Sequence, residues 1–393
     1  MKEIYLDNAA TSYPKAPGVS EAISFYLSSL GCNVNRGAYT KAYQTEEIIY
    51  ETRELLCRLF HFSKPENVVF TKNVTESLNV IIKGLLKTGD HVIVSSMEHN
   101  AVMRPLNSLR AQNLEITILQ GNAEGDLCDE RLKLLPSLIK SNTKAIVMTS
   151  ASNVCGTMLP LKEVGRFCRE NHIFFIVDSA QTAGFSEIDM DLYNIDALAF
   201  TGHKGLLGPQ GIGGFLINES VAALIDSLIE GGTGSFSELE NQPTYMPDKF
   251  EAGTLNVPGI FGLNAALKYL FKVGIRLIRE QELHLLDLFI SRLLEIPALR
   301  LIGKRDLNER TSIVSIDFPN HDNAELSYWL YKDYGIMTRS GLHCAPSAHR
   351  TLGTFPQGTL RFSFSHFNND KEVFQTIDCL WRSLKLLNHP SHL

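Results

Sequence analysis

The sequence lacks a long apolar run, a block of like charges and a signal-peptide pattern. No apolar run approaches the roughly 18 residues that a membrane-spanning helix needs. The N-terminal stretch MKEIYLDNAATS carries acidic residues where a secretory signal would be apolar. A formal net charge of −6, spread along the chain, disfavours nucleic acid and anionic membranes as main partners. What remains, 44% hydrophobic and 20% charged residues, is ordinary for a soluble globular enzyme.

Cysteine usage argues against a disulfide framework and against a zinc site. The seven cysteines are odd in number, and no two of them form a CxxC pair. We therefore expect free thiols and a reducing, cytoplasmic location. The cysteines are Cys32, Cys57, Cys128, Cys155, Cys168, Cys344 and Cys379.

The order of the apolar runs predicts an α/β fold. With 393 residues, the chain exceeds the roughly 250–300 at which one core stops growing, so about two domains are expected. Helices are predicted over 17–30 and 44–60, joined by a polar and aromatic loop that is a candidate functional segment. From Val68 onward, short apolar runs alternate with helical patterns, which indicates a mostly parallel sheet flanked by helices. The predicted strands include VVFT, HVIVS, EITILQ, AIVMTS, FFIVD, ALAFT and GGFLI.

The composition changes in the last third of the chain. A segment rich in Gly, Pro, Ser and Thr begins near Glu230 and marks a plausible boundary. The elements predicted after it are one or two helices over 258–296, the strands LRLIG, TSIVSIDFP and TLRFSFSHF, and helices near 323–334 and 370–387. We predict a large α/β domain over 15–257 and a smaller α+β domain over 258–393 that also contains 1–14.

Two chemically active side chains follow successive predicted strands. Asp178 ends the run FFIVDSAQ, and Lys204 lies in AFTGHKGLLGPQG directly after the next apolar run. Because ligands gather at the carboxyl ends of parallel strands, both side chains are expected to face one crevice. Pyridoxal phosphate is held as a Schiff base to a lysine, with a carboxylate at its pyridine nitrogen, and this pair suits that cofactor. Taken singly, Asp178 could cap the next helix and Lys204 could be a solvated loop lysine.

A predicted helix start offers a phosphate site. Thr75, Glu76 and Ser77 open an apolar-periodic helix, and its free N–H groups together with the hydroxyls suit a phosphate. The same residues also form a capping arrangement, which is the alternative interpretation. His99 follows the predicted strand HVIVS closely, so its imidazole is expected near the same edge of the sheet.

A series of short motifs runs through the chain in order: IYLDNAATS, TKNVTESLN, SSMEHNAV, SASNVCGT, VDSAQTAG, TGHKGLLGPQGIG, FEAGTLN, TRSGLHCA and TLRFSFSHFN. This series resembles the motifs of cysteine desulfurases, in the class V aminotransferase branch of fold-type I pyridoxal-phosphate enzymes. The resemblance extends from Tyr5 to about Asn368. It implies a large domain with a mostly parallel sheet flanked by helices, and a smaller α+β C-terminal domain.

The resemblance implies roles at the ring of the cofactor. Lys204 matches the Schiff-base lysine, and Asp178 matches the partner of the pyridine nitrogen. Gln181 matches the group that binds the phenolic oxygen, and His99 matches the imidazole that stacks on the ring. A carboxylate at the pyridine nitrogen favours the charged form of the ring and so strengthens its capacity to accept electrons.

The resemblance also implies contacts to the phosphate. Thr75 matches a phosphate-binding threonine at a helix start. Its neighbour Glu76 is also predicted to bind the cofactor. Thr201 and His203 join Thr75 from beside the lysine. Thr254 of FEAGT matches a residue that reaches the phosphate of the partner subunit, which implies a homodimer with shared sites.

Substrate-binding roles are implied for Asn153, Arg361 and Arg339. Asn153 of SNVCGT and Arg361 of TLRFS match groups that hold the carboxylate of the amino-acid substrate. The planar guanidinium of arginine suits a carboxylate because it donates two parallel hydrogen bonds. A surface ion pair is the alternative for Arg361.

Cys344 is the candidate nucleophile. It lies in TRSGLHCAPSAH with Arg339 and His343 close by, and cationic neighbours favour the thiolate of a cysteine. A small buried apolar residue is the alternative role for a free cysteine. The segment matches the RxGHHCA motif of the desulfurase group that includes selenocysteine lyase-like enzymes, which implies that Cys344 takes sulfur from substrate cysteine.

The sequence departs from the family pattern at two positions near these motifs. Leu342 stands where the motif has its first histidine, and Val74 replaces a hydroxyl residue before the phosphate threonine. The six other cysteines are interpreted as structural, although SNVCGT would place Cys155 close to the cofactor.

The resemblance implies conversion of L-cysteine to L-alanine, with Lys204 as the base that removes the α-proton and Cys344 as the carrier of a persulfide. An acceptor protein or a reductant would then remove the sulfur. Selenocysteine lyase and a class V aminotransferase stay open as alternatives, and a non-catalytic scaffold of the same fold is a third. The sequence does not decide whether the sulfur serves iron–sulfur cluster assembly, thionucleosides or selenium handling.

Overall fold

The structure is a computed structural model that describes residues 3–34, 37–235, 237–296, 299–319 and 321–388, with side chains described up to residue 385. The strands are β1 Ile4–Tyr5, β2 Val68–Thr71, β3 His91–Ser95, β4 Glu115–Leu119, β5 Thr143–Thr149, β6 Phe174–Asp178, β7 Ala197–Thr201, β8 Gly213–Ile217, β9 Arg300–Ile302, β10 Ile313–Asp317, β11 Ile336–Met337, β12 Arg339–Gly341 and β13 Thr359–Ser363. The α-helices are α1 Val19–Phe25, α2 Thr40–Phe60, α3 Val74–Leu85, α4 Asn100–Arg110, α5 Asp129–Leu132, α6 Leu135–Leu138, α7 Leu161–Glu170, α8 Glu219–Ala222, α9 Val257–Val273, α10 Ile275–Leu293, α11 Asn323–Tyr334, α12 Pro346–Thr351 and α13 Asp370–Asn388.

A large sheet with the strand order β2-β8-β7-β6-β5-β3-β4 forms the centre of the molecule. The strands β4, β3, β5, β6 and β7 are parallel to their neighbours in this order. β8 is antiparallel to both β7 and β2. The predicted α/β class with a mostly parallel sheet is therefore confirmed, and so are the strands predicted between Val68 and Ile217.

Side chains of each central strand alternate between two apolar cores, one on each face of the sheet. In β6, Phe175 and Val177 belong to the core that α2, α7 and α9 cover, whereas Ile176 belongs to the core that α3 and α4 cover. Because both faces are covered, each strand is a continuous apolar run, which is why these strands could be predicted locally.

A smaller antiparallel sheet with the order β12-β13-β10-β9 follows in the chain. The N-terminal segment joins it, because β1 pairs with β11, and Ile4 and Leu6 share an apolar core with Phe289 and Phe362. This packing supports the smaller-domain prediction for residues 4–6, whereas Ala9 and Ser12 bond to Gln181 and His203 beside the large sheet, so the prediction for 1–14 as a whole stays a prediction.

The helices differ from the predicted ones mainly at their ends. α2 begins at Thr40, after an extended Tyr39, and α1 continues into the π-helical turn Tyr26–Leu30. The predicted stretch over 258–296 is two helices, because Gly274 has a φ of 92° that breaks the α-helical backbone. Within the described residues, no helix combines the length and the apolar character that crossing a membrane requires.

α9 packs against α1 and α2 and contributes to the same core as the large sheet. The predicted domain boundary at 257/258 stays a prediction, and this packing favours a boundary after Val273.

Candidate active site

The carboxyl edge of the large sheet brings Asp178 and Lys204 close enough for their charges to interact. Asp178 ends β6, is 2% exposed, and accepts a hydrogen bond of 2.9 Å from the N–H of Ala180. Burial raises the pKa of Asp178, while that N–H and the charge of Lys204 oppose the rise. Burial lowers the pKa of Lys204 to about 8, and the charge of Asp178 opposes that shift. The edge therefore presents an amine that loses its proton easily beside a buried carboxyl group.

His99 lies next to this pair as a neutral imidazole. It is the N-terminal capping residue of α4, and its Nδ1 accepts a bond of 3.0 Å from the N–H of Ala101. The proton of the neutral ring therefore lies on Nε2. Burial lowers the pKa of His99 to about 4, and the positive charges of Lys204 and Arg361 contribute to the shift. A neutral, flat ring in this place can stack on an aromatic ligand.

Two buried polar atoms at the end of β7 have no partner among the described residues: Oγ1 of Thr201 and Nδ1 of His203. Such atoms are costly unless a ligand or water satisfies them. The carbonyl of His203 is already engaged, because it accepts bonds of 2.8 Å from the N–H of Ser12 and 3.1 Å from Nζ of Lys15. Burial and the nearby charge of Lys204 lower the pKa of His203 to about 4, so its ring is neutral. The unpartnered atoms fit an oxygen-rich group such as a phosphate.

The N-terminus of α3 is capped by its own side chains. Asn73 Oδ1 accepts a bond of 3.0 Å from the N–H of Glu76, and the Glu76 carboxylate accepts a bond of 2.6 Å from the N–H of Lys72. Of the three residues that the capping alternative named, Glu76 takes part, whereas the capping side chain is Asn73. Thr75 is exposed in the first turn, so its hydroxyl is accessible to a ligand. A cofactor contact by Glu76 stays a prediction, which its local bond to Lys72 disfavours.

Gln181 lies beside the lysine. Together with Lys204 and Asn8, it lines a cavity of about 40 Å³. Its Nε2 donates a bond of 3.2 Å to the carbonyl of Ala9, so the N-terminal segment orients this amide. The placement is compatible with the predicted contact to a ring oxygen.

Asp7 joins the two arginines that the sequence indicated. Arg361, 2% exposed, donates from Nη2 to Asp7 Oδ1 at 3.2 Å and from Nη1 to the carbonyl of Asn153 at 2.8 Å. Arg339 donates from Nη2 to Asp7 Oδ2 at 2.7 Å and from Nε to both carboxylate oxygens. Nε of Arg361 is buried and has no partner among the described residues. The sequence analysis missed Asp7, although it stands in the motif IYLDNAATS, because its partners lie more than 300 residues away in the chain.

Cys344 is exposed in the turn between β12 and α12. A thiolate at Cys344 would raise the pKa values of both Lys204 and Arg339, which places the thiol on the side of the sheet edge described above. The carbonyl of Cys344 accepts a bond of 2.8 Å from the N–H of Asn100. The alternative of a buried apolar cysteine is therefore wrong.

The expected positive charge on His343 is also wrong. Burial lowers the pKa of His343 to about 2, and the charge of Arg361 adds to the effect. The imidazole is therefore neutral and adds no positive charge beside Cys344. The substrate contact of Asn153 stays a prediction: its Nδ2 donates one hydrogen to the carbonyl of His343 at 2.6 Å, which leaves its second N–H for a ligand.

The other cysteines lie deeper. Cys57, Cys155, Cys168 and Cys379 are buried, and Cys32 and Cys128 are half-buried. Burial raises the pKa of the Cys57 thiol to about 12 and that of Cys168 further. The thiol of Cys155 lies 3.2 Å from the hydroxyl of Thr157, inside the core. These placements support the structural role that the sequence analysis gave to all six.

Thr254 and the predicted residue Glu76 line the same surface cavity of about 210 Å³. Thr254 is exposed and also lines a surface groove of about 640 Å³ together with Tyr50 and Arg53. Lys204 lines neither of these two cavities, and the expected contact of Thr254 across a dimer stays a prediction. The candidate loop over 31–43 includes Asn35 and Arg36, which lie outside the described residues.

Comparison with known proteins covers nearly the whole chain. Residues 4–375 match the family Aminotransferase class-V. A probable cysteine desulfurase of Pyrococcus abyssi is 33% identical over 98% of this chain and 95% of its own length. A cysteine desulfurase of Escherichia coli O8 is 31% identical over 98% of this chain and 94% of its own length.

Solved structures agree with these relatives. The apo structure of a cysteine desulfurase from Thermococcus onnurineus NA1 superposes with a TM-score of 0.89 at 31% identity, covering 98% of this chain and 95% of that one. The cysteine desulfurase CsdA from Escherichia coli gives a TM-score of 0.87 at 30% identity with the same coverage. The predicted resemblance is confirmed: the chain belongs to the class-V aminotransferase family, and within that family it is similar to the cysteine desulfurases.

Proposed function

We propose that the protein is a pyridoxal-phosphate-dependent cysteine desulfurase that converts L-cysteine to L-alanine and takes the sulfur onto Cys344 as a persulfide. The observation that carries the proposal is an exposed cysteine within electrostatic range of Lys204, the lysine with a lowered pKa beside Asp178. The similarity to cysteine desulfurases over nearly the whole chain supports the same reaction. An aminotransferase of this family would use the lysine and the aspartate but would not need an exposed thiol.

The residues at the sheet edge fit the proposed cofactor. Pyridoxal phosphate, when bound, supplies an electron sink for the substrate carbon that carries the amino group. The unpartnered buried atoms of Thr201 and His203 support a phosphate at that end of the site. The proposed cofactor-binding residues are Lys204, Asp178, His99 and Gln181 around the ring, and Thr75, Thr201 and His203 around the phosphate.

Lys204 is the proposed base. Its Nζ accepts the proton that leaves Cα of the substrate. A pKa of about 8 leaves about a tenth of the amine unprotonated at pH 7, whereas an ordinary lysine would be almost fully protonated. Burial thus prepares the amine for this role.

Arg361 is the proposed partner of the substrate carboxylate, with Asn153 and Arg339 beside it. Asp7 and the carbonyl of Asn153 fix its guanidinium plane, and its unpartnered Nε can serve a carboxylate oxygen.

Cys344 is the proposed nucleophile. Its thiolate attacks the sulfur of the substrate, so an S–S bond forms and the Cβ–S bond breaks. Cβ keeps the electron pair of the broken bond and takes a proton, and the return of a proton from Lys204 to Cα completes alanine. Because Cys344 is exposed, the resulting persulfide is accessible to a sulfur-acceptor protein or a thiol reductant.

We further propose a homodimer in which Thr254 of one subunit contributes to the phosphate site of the other. The exposed position of Thr254, beside a large groove that Lys204 does not line, supports this arrangement. All seven cysteines lie in the described part of the chain and are free, which supports the proposed cytoplasmic location.

The direct test incubates the purified protein with L-cysteine and a thiol reductant, and quantifies alanine and sulfide together. We expect equal amounts of both products, and loss of both in Cys344→Ala and in Lys204→Ala. Cys128→Ala is the matched control, because Cys128 is a partly accessible cysteine outside the site, and it should keep full activity.

Full activity in Cys344→Ala would contradict the assigned nucleophile. If that variant lost activity on L-cysteine but kept it on L-selenocysteine, the result would favour selenocysteine lyase instead. Neither product, from protein that carries a borohydride-reducible cofactor, would favour amino-group transfer.

A further inference from the structure

The turn that carries Cys344 has a backbone that residues with side chains usually avoid. His343 and Cys344 have φ values of 47° and 57°, so two consecutive residues lie in the left-handed region. Neither is a glycine, and in this region Cβ crowds the neighbouring carbonyl oxygen. Such a turn persists only when contacts from the surroundings hold it.

The large domain holds the main chain of the turn. The Asn153 side chain, which follows β5, donates from Nδ2 to the carbonyl of His343 at 2.6 Å. The N–H of Asn100, at the start of α4, donates to the carbonyl of Cys344 at 2.8 Å. The second contact satisfies an N–H that a helix start leaves free. Two successive carbonyls are thus fixed from the sheet edge that carries His99 and Asp178.

A directed chain of hydrogen bonds holds the side chain of His343. Ser315 Oγ donates to the carbonyl of Val154 at 2.5 Å, because a carbonyl can only accept. Ser315 has one hydroxyl proton, so it accepts in its contact of 3.1 Å with Thr359. Because Thr359 donates its only hydroxyl proton to Ser315, its oxygen accepts the bond of 3.0 Å from Nε2–H of His343. Thr359 and Ser315 are both fully buried, so no solvent competes for these bonds.

We infer that His343 and Thr359 form a positioning pair that keeps the Cys344 turn in its left-handed conformation, with the thiol turned toward the lysine crevice. His343 acts as a neutral hydrogen-bond donor in this pair and exchanges no proton with the substrate. The inference deepens the proposed function and rests on the role of Cys344 as the residue that takes the sulfur. Without the pair, the turn can relax to ordinary negative φ values, and the thiol moves relative to the substrate sulfur.

The test compares Thr359→Val with Thr359→Ser in the cofactor-loaded protein. Valine has the shape of threonine but cannot accept from His343, whereas serine keeps the hydroxyl. We expect kcat for alanine formation to fall about tenfold in the valine variant, since misplacing a reacting group by an ångström costs up to about a hundredfold. KM and the pH profile should stay unchanged, because Arg361 and Lys204 are untouched. The serine variant should keep the wild-type kcat.

A second readout is independent of activity. Hydrogen–deuterium exchange of the peptide over 339–351 should be several times faster in Thr359→Val than in Thr359→Ser, because the side-chain anchor of the turn is lost. Where the valine variant does not fold, His343→Leu replaces it, with His343→Gln as the control that keeps an N–H donor.

The outcomes separate the inference from the proposed function. Wild-type kcat and wild-type exchange in Thr359→Val, or a shift in its pH profile, would overturn the positioning pair. Faster exchange in the valine variant, together with no alanine from the wild-type protein, would support the anchored turn and overturn the proposed function.

Discussion

At the scale of single residues, Asp7 determines how the guanidinium groups of the site are oriented. Arg361 and Arg339 both donate to its carboxylate, and Asp7 is itself buried at 7% exposure. A buried guanidinium that loses its carboxylate partner is left with an uncompensated charge. The position of Arg361 therefore depends on a residue at the opposite end of the chain.

Asp7→Asn should weaken substrate binding more than it slows the reaction. We expect KM for L-cysteine to rise about tenfold, equivalent to about 1.4 kcal/mol of lost binding. We also expect stability to fall by about 3 kcal/mol, because the variant breaks a buried ion pair. Steady-state kinetics and urea unfolding measure the two effects. The control is Asp370→Asn, at an exposed contact with His284, which should change neither KM nor stability. An unchanged KM in Asp7→Asn would show that Asp7 does not orient Arg361.

The lowered pKa of Lys204 predicts how fast cofactor-free protein takes up pyridoxal phosphate at different pH values. Bond formation needs the unprotonated amine, so the rate should rise with pH and level off above a midpoint near 8. Asp178 raises the pKa of Lys204, and Asp178→Asn should therefore move the midpoint to lower pH. Absorbance after rapid mixing measures the rate, and Asp191→Asn, at an exposed loop position, should leave the midpoint in place. A midpoint near 10 in the wild type would mean that the amine is not affected by burial.

The sequence indicated residues whose signal is local, and it missed contacts between distant parts of the chain. Asp178 and Lys204 follow apolar runs directly, so strand pattern and residue type together were sufficient. Asp7 could not be assigned, because only the folded chain brings it to β12 and β13. The charge of His343 was wrong for a related reason: sequence neighbours suggest a cationic loop, whereas burial decides that the ring is neutral.

At the scale of elements, Glu98 ties the turn after β3 to the end of β5. It is fully buried, both of its oxygens accept from the N–H of Thr149 at 3.0 and 3.1 Å, and the hydroxyl of Ser95 also bonds to it. Burial raises the pKa of Glu98 to about 8, and the nearby charge of Asp178 adds to the rise. The turn that carries His99 therefore contains a carboxyl group that keeps its proton at neutral pH.

This protonated carboxyl group predicts a pH-dependent difference in stability. Between about pH 4.5 and 8 the unfolded chain loses the Glu98 proton while the folded chain keeps it, so this residue makes the protein less stable as pH rises through that window. Glu98→Gln removes this effect. The free energy of unfolding of the variant, relative to that of the wild type, should therefore increase from pH 5 to pH 8. Urea unfolding at both values measures the difference. The control Glu240→Gln, at an exposed loop position, should show no such change with pH. If Glu98→Gln also showed no change with pH, Glu98 would be ionised in the folded protein.

Strand direction shows where the prediction of elements reaches its limit. The run GGFLI predicted β8 correctly, but a strand that is buried on both faces has the same pattern whether it lies parallel or antiparallel. β8 is antiparallel to both β7 and β2, and this direction depends on the three-dimensional path of the chain between the strands, which the apolar run does not contain.

At the scale of the whole molecule, the site of one chain is proposed to be complete only in a pair of chains. Lys204 and Asp178 lie at the sheet edge, whereas Thr254 lies exposed beside a groove with Tyr50, and further exposed tyrosines of that region are Tyr39 and Tyr43. A solvent-exposed surface that is rich in aromatic side chains is typical of a protein–protein interface. The proposed dimer would have twice the 43.9 kDa mass of the chain, which light scattering measures directly.

Shared sites predict recovery of activity when two inactive variants are combined. Lys204→Ala removes the base, and Thr254→Glu places a negative charge where the partner's phosphate is proposed to lie, so each variant alone should have little activity. In a mixed dimer, the Thr254→Glu chain contributes an intact Lys204 and the Lys204→Ala chain contributes an intact Thr254. One of the two sites is therefore intact. Co-expression should therefore restore a clear fraction of wild-type activity. The matched control combines Lys204→Ala with Asp178→Asn, two changes on the same side of the site: no mixed dimer then has an intact site, and activity should stay low. Recovery in the control as well, or in neither mixture, would mean that Thr254 does not act across the interface.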